Sequence, residues 1–409
     1  MPDILSDRQP LDTQAVTNAV AQLYDTYPFP PDPILDEAPP GYNWRWSWEA
    51  AYGFCTGGMA PQTNSPRILD AGCGSGVSTE YLAHLNPHAD IVAIDISAGT
   101  LAVAQERVKR TCKDSASQRK IEFQQLSLFD LDLVEGSFDM INCVGVLHHT
   151  ADPIGGIQAI AKKLAPGGIF HIFVYAAIGR WEISLMQQAI ALLQSDSTTS
   201  DIKQGVKLGR ELFATLPETN RLVQREKTRW QLENHRDECF ADMYVHPHEI
   251  DYTVDSLFEL IDASGLEFVG FSNPKVWSLE KLLGNNLELL AKAKALPLRQ
   301  QYRLIELLDT DITHYEFFLT RPPLPQIDLS IDRNLLKTIP KRHPCIDGWE
   351  GRVLFDGDYG VVNLSEPEFL LMKACDRQVD IASILAEVPD LSLDIVRSLI
   401  DRKLVLLTV

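Results

Sequence analysis

The 409-residue sequence predicts a doubly wound α/β domain followed by a smaller α+β domain. Three observations carry that prediction. Short apolar runs alternate with helical periodicity from Ile68 to Tyr175. A glycine-rich turn, Asp70-Ala-Gly72-Cys-Gly74-Ser-Gly76, joins the first run to a helical stretch. The length exceeds one ordinary domain, and Arg321-Pro-Pro-Leu-Pro325 reads as a linker. These signals divide the chain into an extension (1–60), a main domain (61–325, with a helical insertion over 176–250) and a C-terminal domain (328–409).

Hydrophobic residues at 45% and charged ones at 23% are those of a soluble globular protein. A formal net charge of −19 sets nucleic acid against net repulsion and disfavours it as a partner. Met1 to Pro10 has neither a basic nor an apolar region of a signal peptide, and no apolar run reaches the length of a membrane span. The seven cysteines are scattered, with no C-x-x-C pair. A cytoplasmic location with no structural zinc and no membrane is therefore expected.

In the extension, helical periodicity over Thr17–Tyr24 gives way to prolines at 28, 30, 31, 33, 39 and 40, which stiffen an extended segment. The aromatic cluster Tyr42, Trp44, Trp46 and Trp48 follows. It reads either as a lid over a ligand or as a segment packed on the main domain. Tyr24 and Tyr27 are the favoured lid residues.

The main domain opens with Ile68-Leu69-Asp70 and the glycine turn. Glycine lets the backbone approach a ligand closely, and the following helix presents unpaired N–H groups. The Gly72-x-Gly74-x-Gly76 spacing differs from the Gly-x-Gly-x-x-Gly of dinucleotide sites. The preceding acid suits a cationic amino-acid headgroup better than a diphosphate. A second strand, Ile91 to Ile94, ends at Asp95, nineteen residues past Gly76, where a carboxylate can accept both hydroxyls of a ribose. An acid at a buried strand end is expected to have a partner.

Helix Ala98–Thr111 leads to a strand from Ile121 and to Ser127, and the strand Met140–Val144 leads to Gly145, His148 and His149. Either histidine suits a base, and at least one of them reads as a brace for the helix that Asp152-Pro153 starts. A Pro-Gly-Gly turn at 166–168 precedes the strand Ile169–Tyr175.

Taken in order, these segments resemble the class I S-adenosylmethionine-dependent methyltransferases. The resemblance implies a Rossmann-like seven-stranded sheet, completed by an antiparallel pair at Leu266–Phe271 and His314–Thr320, and S-adenosylmethionine as cofactor. It implies that Asp70, Gly72, Gly74 and Gly76 hold the amino-acid part and that Asp95 with Ile96 holds the ribose. Ser127 and Leu128 would hold the adenine, and Cys143 and Val144 would lie near the sulfonium. Ser127 departs from the pattern, since an acid usually stands there.

The insertion carries a basic concentration, Lys207, Arg210, Arg221, Arg225, Lys227 and Arg229, which reads as a face for an acidic partner or as a solvated helical face. His235 to Glu249 is dense in ionisable and aromatic residues, as a substrate pocket requires. Similar His-containing segments occur in methyltransferases with a Gly-Val-Leu-His-His sequence. That similarity makes His148, His149, Asp242 and His246 the candidate catalytic groups, with Glu249 beside them. Metal binding by His246, His248 and Glu249 is a rival reading; Pro247 and the absence of helical spacing argue against it, and no metal is expected.

The C-terminal domain reads as a hairpin about Asp356-Gly357, three helices and a last strand from Leu404, and resembles the winged-helix modules of peptide-modifying enzymes. Between Ser330 and Val409, 10 basic residues stand against 13 acidic ones, a net of −3. That charge favours protein or peptide binding, or homo-oligomer formation, over DNA.

The layout is similar to cyanobacterial enzymes that include asparagine methyltransferases of phycobiliproteins, which implies a protein substrate. One departure is that Asn142-Cys-Val-Gly145 stands where amide-modifying enzymes carry Asn/Asp-Pro-Pro-Tyr. A small-molecule O- or C-methyltransferase and a cofactor-binding regulatory module without turnover are the alternatives.

Overall fold

The computed structural model describes residues 12–112, 120–194, 201–326 and 328–408. Seven strands form one sheet: β1 (Arg67–Ala71), β2 (Asp90–Asp95), β3 (Lys120–Gln125), β4 (Phe138–Val144), β5 (Leu164–Tyr175), β6 (Glu267–Phe271) and β7 (His314–Thr320). Their order is β3-β2-β1-β4-β5-β7-β6. The first five are parallel, and β7 runs antiparallel to both β5 and β6. The strand order reverses between β1 and β4, and in such sheets ligands sit at the carboxyl ends beside that switch point. The central strands are apolar runs because helices cover both faces; Ile68, Leu69 and Ile91 to Ile94 are all buried.

The expected Rossmann-like, seven-stranded sheet is the one observed. β5 differs in one respect, since it starts at Leu164 rather than Ile169. Phe138 pairs with Leu164 and Met140 with Ile169, so the Pro-Gly-Gly turn is a bulge inside the ladder, with Gly167 at φ +75°.

The insertion folds as helices, among them Trp181–Gln194, Ile202–Thr215 and Asp237–Tyr244. Together with Leu23 of helix Thr13–Thr26 they enclose their own core. Much of its basic concentration is paired within the chain: Arg210 meets Asp237 at 2.6 Å, Arg225 and Arg229 meet Asp311 at 2.9 and 3.0 Å, and Lys227 meets Glu218 at 3.1 Å. These pairings balance the charge within the chain, with Arg225 and Arg229 partly buried against Asp311. The polar loop read at 195–200 lies outside the described residues.

Beyond Asp328 a separate core forms around Leu371, Ile384, Val396 and Leu407. It carries β8 (Ile339–Arg342), β9 (Val353–Phe355), β10 (Val361–Asn363) and β11 (Val405–Thr408), with helices Glu366–Ala374, Ile381–Glu387 and Leu393–Asp401. β9 and β10 form the hairpin, joined by the loop 356–360 rather than by a tight Asp-Gly turn. The last strand pairs with β8, not with the hairpin.

Candidate active site

A cavity of about 350 Å³ opens at the carboxyl ends of β1, β2, β4 and β5. Gly72, Gly74, Asp95, Ile96, Ser127, Leu128 and Val144 form its walls on the sheet side. Thr17, Val20 and Tyr24 from helix Thr13–Thr26, with Phe29 and Pro30, cover it.

The glycine turn is held open by local geometry. Gly72, Gly74 and Gly76 all have positive φ (+81°, +52° and +84°), which side-chain-bearing residues adopt at a cost. Ser75 fastens the cover, its N–H donating to the Phe29 carbonyl (2.9 Å) and its Oγ to that of Pro30 (2.6 Å). A Cβ on Gly74 would lie 2.6 Å from the Phe29 oxygen.

Asp95 finds its expected partners in the backbone: Gly74 N–H donates to Oδ2 and Ser97 N–H to Oδ1, both at 2.9 Å. Each oxygen keeps a further lone pair, and the residue lines the cavity, so the carboxylate suits a pair of ribose hydroxyls. Burial raises its pKa from the ordinary carboxylate value. Ser127 caps the next turn by accepting from Phe129 N–H at 3.3 Å, which leaves its hydroxyl hydrogen for a ligand. Gly145 lines the cavity at φ +76°, and an added Cβ there would meet open space.

Four residues expected at the ligand lie behind the wall instead. Asp70 is 1% exposed, and its oxygens accept from Ser78 (2.7 Å), Thr79 (2.6 Å) and Asn142 (2.8 Å); it braces the glycine turn from below. Gly76 packs on Ala104, where a Cβ would come within 2.7 Å. Cys143 points into the core on the far face of β4 from its neighbour Val144. His148 is fully buried between His149 and Tyr175, each 4.1 Å away by ring centroid, and neither ring nitrogen has a hydrogen-bond partner among the described residues. The lid residues divide likewise: Tyr24 faces the cavity, and Tyr27 packs on the insertion.

His149, Tyr175, Asp242 and Tyr24 converge at one end of the cavity, with His246 stacked on His149 at 3.7 Å. The hydrogen bonds there fix proton positions. The His248 carbonyl can only accept, so His149 donates through Nδ1 (3.1 Å) and carries its lone pair on Nε2. His246 accepts the His248 N–H at Nδ1 (3.2 Å), which places its proton on Nε2, 3.3 Å from the Tyr24 oxygen. Tyr24 in turn donates to Asp242 Oδ1 at 2.9 Å. Burial holds His149 down at about 4 and pushes Asp242 up to about 7, the Tyr24 hydrogen bond opposing the latter. His149 is thus neutral at pH 7 and only weakly basic, and Asp242 titrates close to that pH.

Potential ligand atoms of His149, Asp242 and His246 lie within 4.8 Å of one another. A metal needs a lone pair at each nitrogen, and His246 Nε2 holds a hydrogen, so this arrangement suits proton transfer better than coordination.

Comparison with known proteins agrees with the geometry. A methyltransferase-domain family model matches residues 69–170. A protein of Synechococcus sp., syc1184_c, is 57% identical over 396 residues, spanning 96% of this chain and 94% of its own length. The chain belongs to the class I S-adenosylmethionine-dependent methyltransferases. Another relative of this methyltransferase is phycocyanin operon protein W of Pseudanabaena tenuis, 72% identical over 93 residues, which are 23% of this chain and 87% of that protein. Among solved structures, PKMT2 from Rickettsia typhi in complex with AdoHcy shares the fold, with TM-score 0.58 and 17% identity over 88% of this chain and 74% of that one. Among the described residues no helix is long and apolar enough to cross a membrane.

Tyr175 and Phe173 were not singled out from sequence, although both lie at the carboxyl end of β5, where the sheet rule places ligands. Phe29 and Pro30 were read as a stiff segment, and their carbonyls are what meet the glycine turn.

Proposed function

We propose that this methyltransferase modifies a protein side chain, with an asparagine amide of a phycobiliprotein as the acceptor. The observation that carries the reading is the acceptor end of the cavity. His149 presents a neutral lone pair there, beside an Asp242 carboxyl that titrates near pH 7. An amide nitrogen is a weak nucleophile because its lone pair is delocalised, so it needs a group to take its proton as it reacts. The Asn/Asp-Pro-Pro-Tyr motif that commonly handles amides is absent, and Asn142 in its place is buried and hydrogen-bonded to Asp70, Trp46 and His171. His149 and Asp242 supply the missing acceptors.

S-adenosylmethionine supplies an electrophilic methyl group on its sulfonium. The chain's own part is to hold the donor on Asp95 and the glycine turn, to exclude water with Trp46, Phe173 and Tyr175, and to accept a proton at His149 Nε2. The cavity volume lies at the low end of the range of ligand sites, which suits the donor plus the tip of an inserted side chain. The phycobiliprotein reading takes support from the Pseudanabaena relative, a phycocyanin operon protein.

The test is to incubate the enzyme with methyl-labelled donor and an extract of cells lacking its gene, alongside purified phycocyanin. Label in the phycocyanin band, mapped by mass spectrometry to an asparagine, supports the proposal. Label only in the organic extract transfers the reading to a small-molecule acceptor.

A further inference from the structure

Asn142 is the point at which the donor site meets the rest of the molecule. It is 1% exposed and pairs with Asp70 across the β1–β4 ladder. Its Nδ2 donates to Asp70 Oδ1 at 2.8 Å, and Asp70 in turn holds Ser78 and Thr79 at the start of the helix behind the glycine turn. Its Oδ1 accepts from the Trp46 indole (3.0 Å), a group that can only donate, and from His171 Nδ1 (2.8 Å). On its other side His171 reaches Glu316 at 3.2 Å. Burial works against ionisation of Glu316, but the His171 contact and Arg45, 2.6 Å away, hold it down at about 2. Both branches from Asn142 therefore end in one short segment, Trp44-Arg45-Trp46.

The C-terminal domain grips that segment. Asp358 accepts the Trp44 indole N–H at 2.8 Å and lies 3.9 Å from the Arg45 guanidinium. Tyr359 stacks on Tyr42 at 4.6 Å, and its hydroxyl both accepts from the Tyr42 N–H and donates to the Tyr42 carbonyl. The Lys403 ammonium sits 4.2 Å over the Trp44 ring. Trp46, two residues on, lines the donor cavity itself.

We infer that the C-terminal domain completes the methyl-donor site, with Asp358 and Tyr359 as positioning residues that act through Trp44–Trp46 on Asn142 and the glycine turn. Among the described residues, none of those lining the donor cavity comes from the C-terminal domain. Its effect falls on donor affinity, because Asn142 holds Asp70, and Asp70 braces the helix start behind the glycine turn. This inference stands apart from the identity of the acceptor.

The experiment uses the full-length chain and measures AdoHcy affinity by calorimetry, together with kcat and the KM for S-adenosylmethionine. Asp358 is half-exposed, so D358A is expected to fold. D358A and Y359F should each weaken AdoHcy binding by about fivefold, the factor that accompanies loss of a net hydrogen bond, with KM following and kcat within about twofold. D358N, whose amide oxygen still accepts the Trp44 N–H, should recover most of the affinity. D376A, which breaks the Arg342–Asp376 pair in the same domain away from the segment, should leave affinity unchanged. Parental affinity in both D358A and Y359F overturns the inference, and so does an equal loss in D376A, which would mark a purely structural effect.

Discussion

Asp95→Asn tests the donor site at the residue where geometry is most demanding. The carboxylate accepts Gly74 N–H on one oxygen and Ser97 N–H on the other, each at 2.9 Å, and retains one lone pair per oxygen toward the cavity. Asparagine replaces one of those oxygens with an NH₂, so either Gly74 or Ser97 faces a donor with a donor. A buried N–H left without an acceptor costs about 1–3 kcal/mol of stability. The bound ligand loses separately, because a hydrogen bond to a charged group contributes about 1.5–3 kcal/mol. Loss of one such bond, about 2 kcal/mol, corresponds to roughly 30-fold weaker binding. Calorimetric titration with AdoHcy reads the affinity, and denaturant midpoints read the stability. A folded D95N that binds AdoHcy within about threefold of the parent would refute the ribose assignment. The loop argument fails if binding drops and stability does not.

The two adjacent histidines should separate cleanly. His149→Ala is expected to lower kcat by about 10²- to 10⁴-fold while AdoHcy affinity stays near that of the parent, since it removes the base and not the donor contacts. His148→Ala instead opens a void in a fully buried stack and should lower the melting temperature, with kcat per folded molecule little changed; comparing kcat with active-site titration distinguishes them. Asp242→Asn has a pH signature. The folded pKa of about 7 lies above the unfolded value of about 3.9, so the native state holds the extra proton between them and stability falls as pH rises through that window. Asparagine mimics the protonated form and escapes this. The variant should therefore gain on the parent by about 2 kcal/mol between pH 5.5 and 8, read from denaturant midpoints, and a gap that is constant with pH refutes the shift. Depressed histidines such as His149 oppose Asp242 below about pH 6.5 in both proteins, so they cancel in the comparison.

The donor half of the site was legible because its information is local. A strand, a glycine turn and an acid at the next strand end lie within thirty residues of one another, from Ile68 to Asp95, and helix Ala98–Thr111 has the bounds its periodicity predicts. Asp70 reads from sequence as an acid open to a ligand, whereas the structure occupies it with the hydroxyls of Ser78 and Thr79 in the first turn of the next helix. His148 and His149 share one short turn, and their side chains leave it in different directions, which periodicity does not encode. β8 escaped notice because four residues that include a proline, a lysine and an arginine carry no strand pattern. The aromatic cluster divides between its two readings: Trp44 and Trp48 pack in the core, and Trp46 both packs and faces the cavity.

The acceptor half was less legible for the opposite reason. Tyr24 and Asp242, joined by a hydrogen bond, are 218 positions apart, and His149 meets His246 from a different element again. The family match at 69–170 contains Asp95, Ser127 and Val144 of the donor wall, yet of the acceptor cluster it contains His149 alone. Tyr24 comes from the extension, Tyr175 from the end of β5, and Asp242 and His246 from the insertion and the segment after it. Likeness within 69–170 therefore bears on the methyl donor and carries little information about the acceptor. On the proposed reading acceptor choice resides in segments that sit on a shared sheet but are free to vary around it, so relatives that keep Tyr24, Asp242 and His246 together are expected to share this enzyme's acceptor, and relatives matching only the sheet are not.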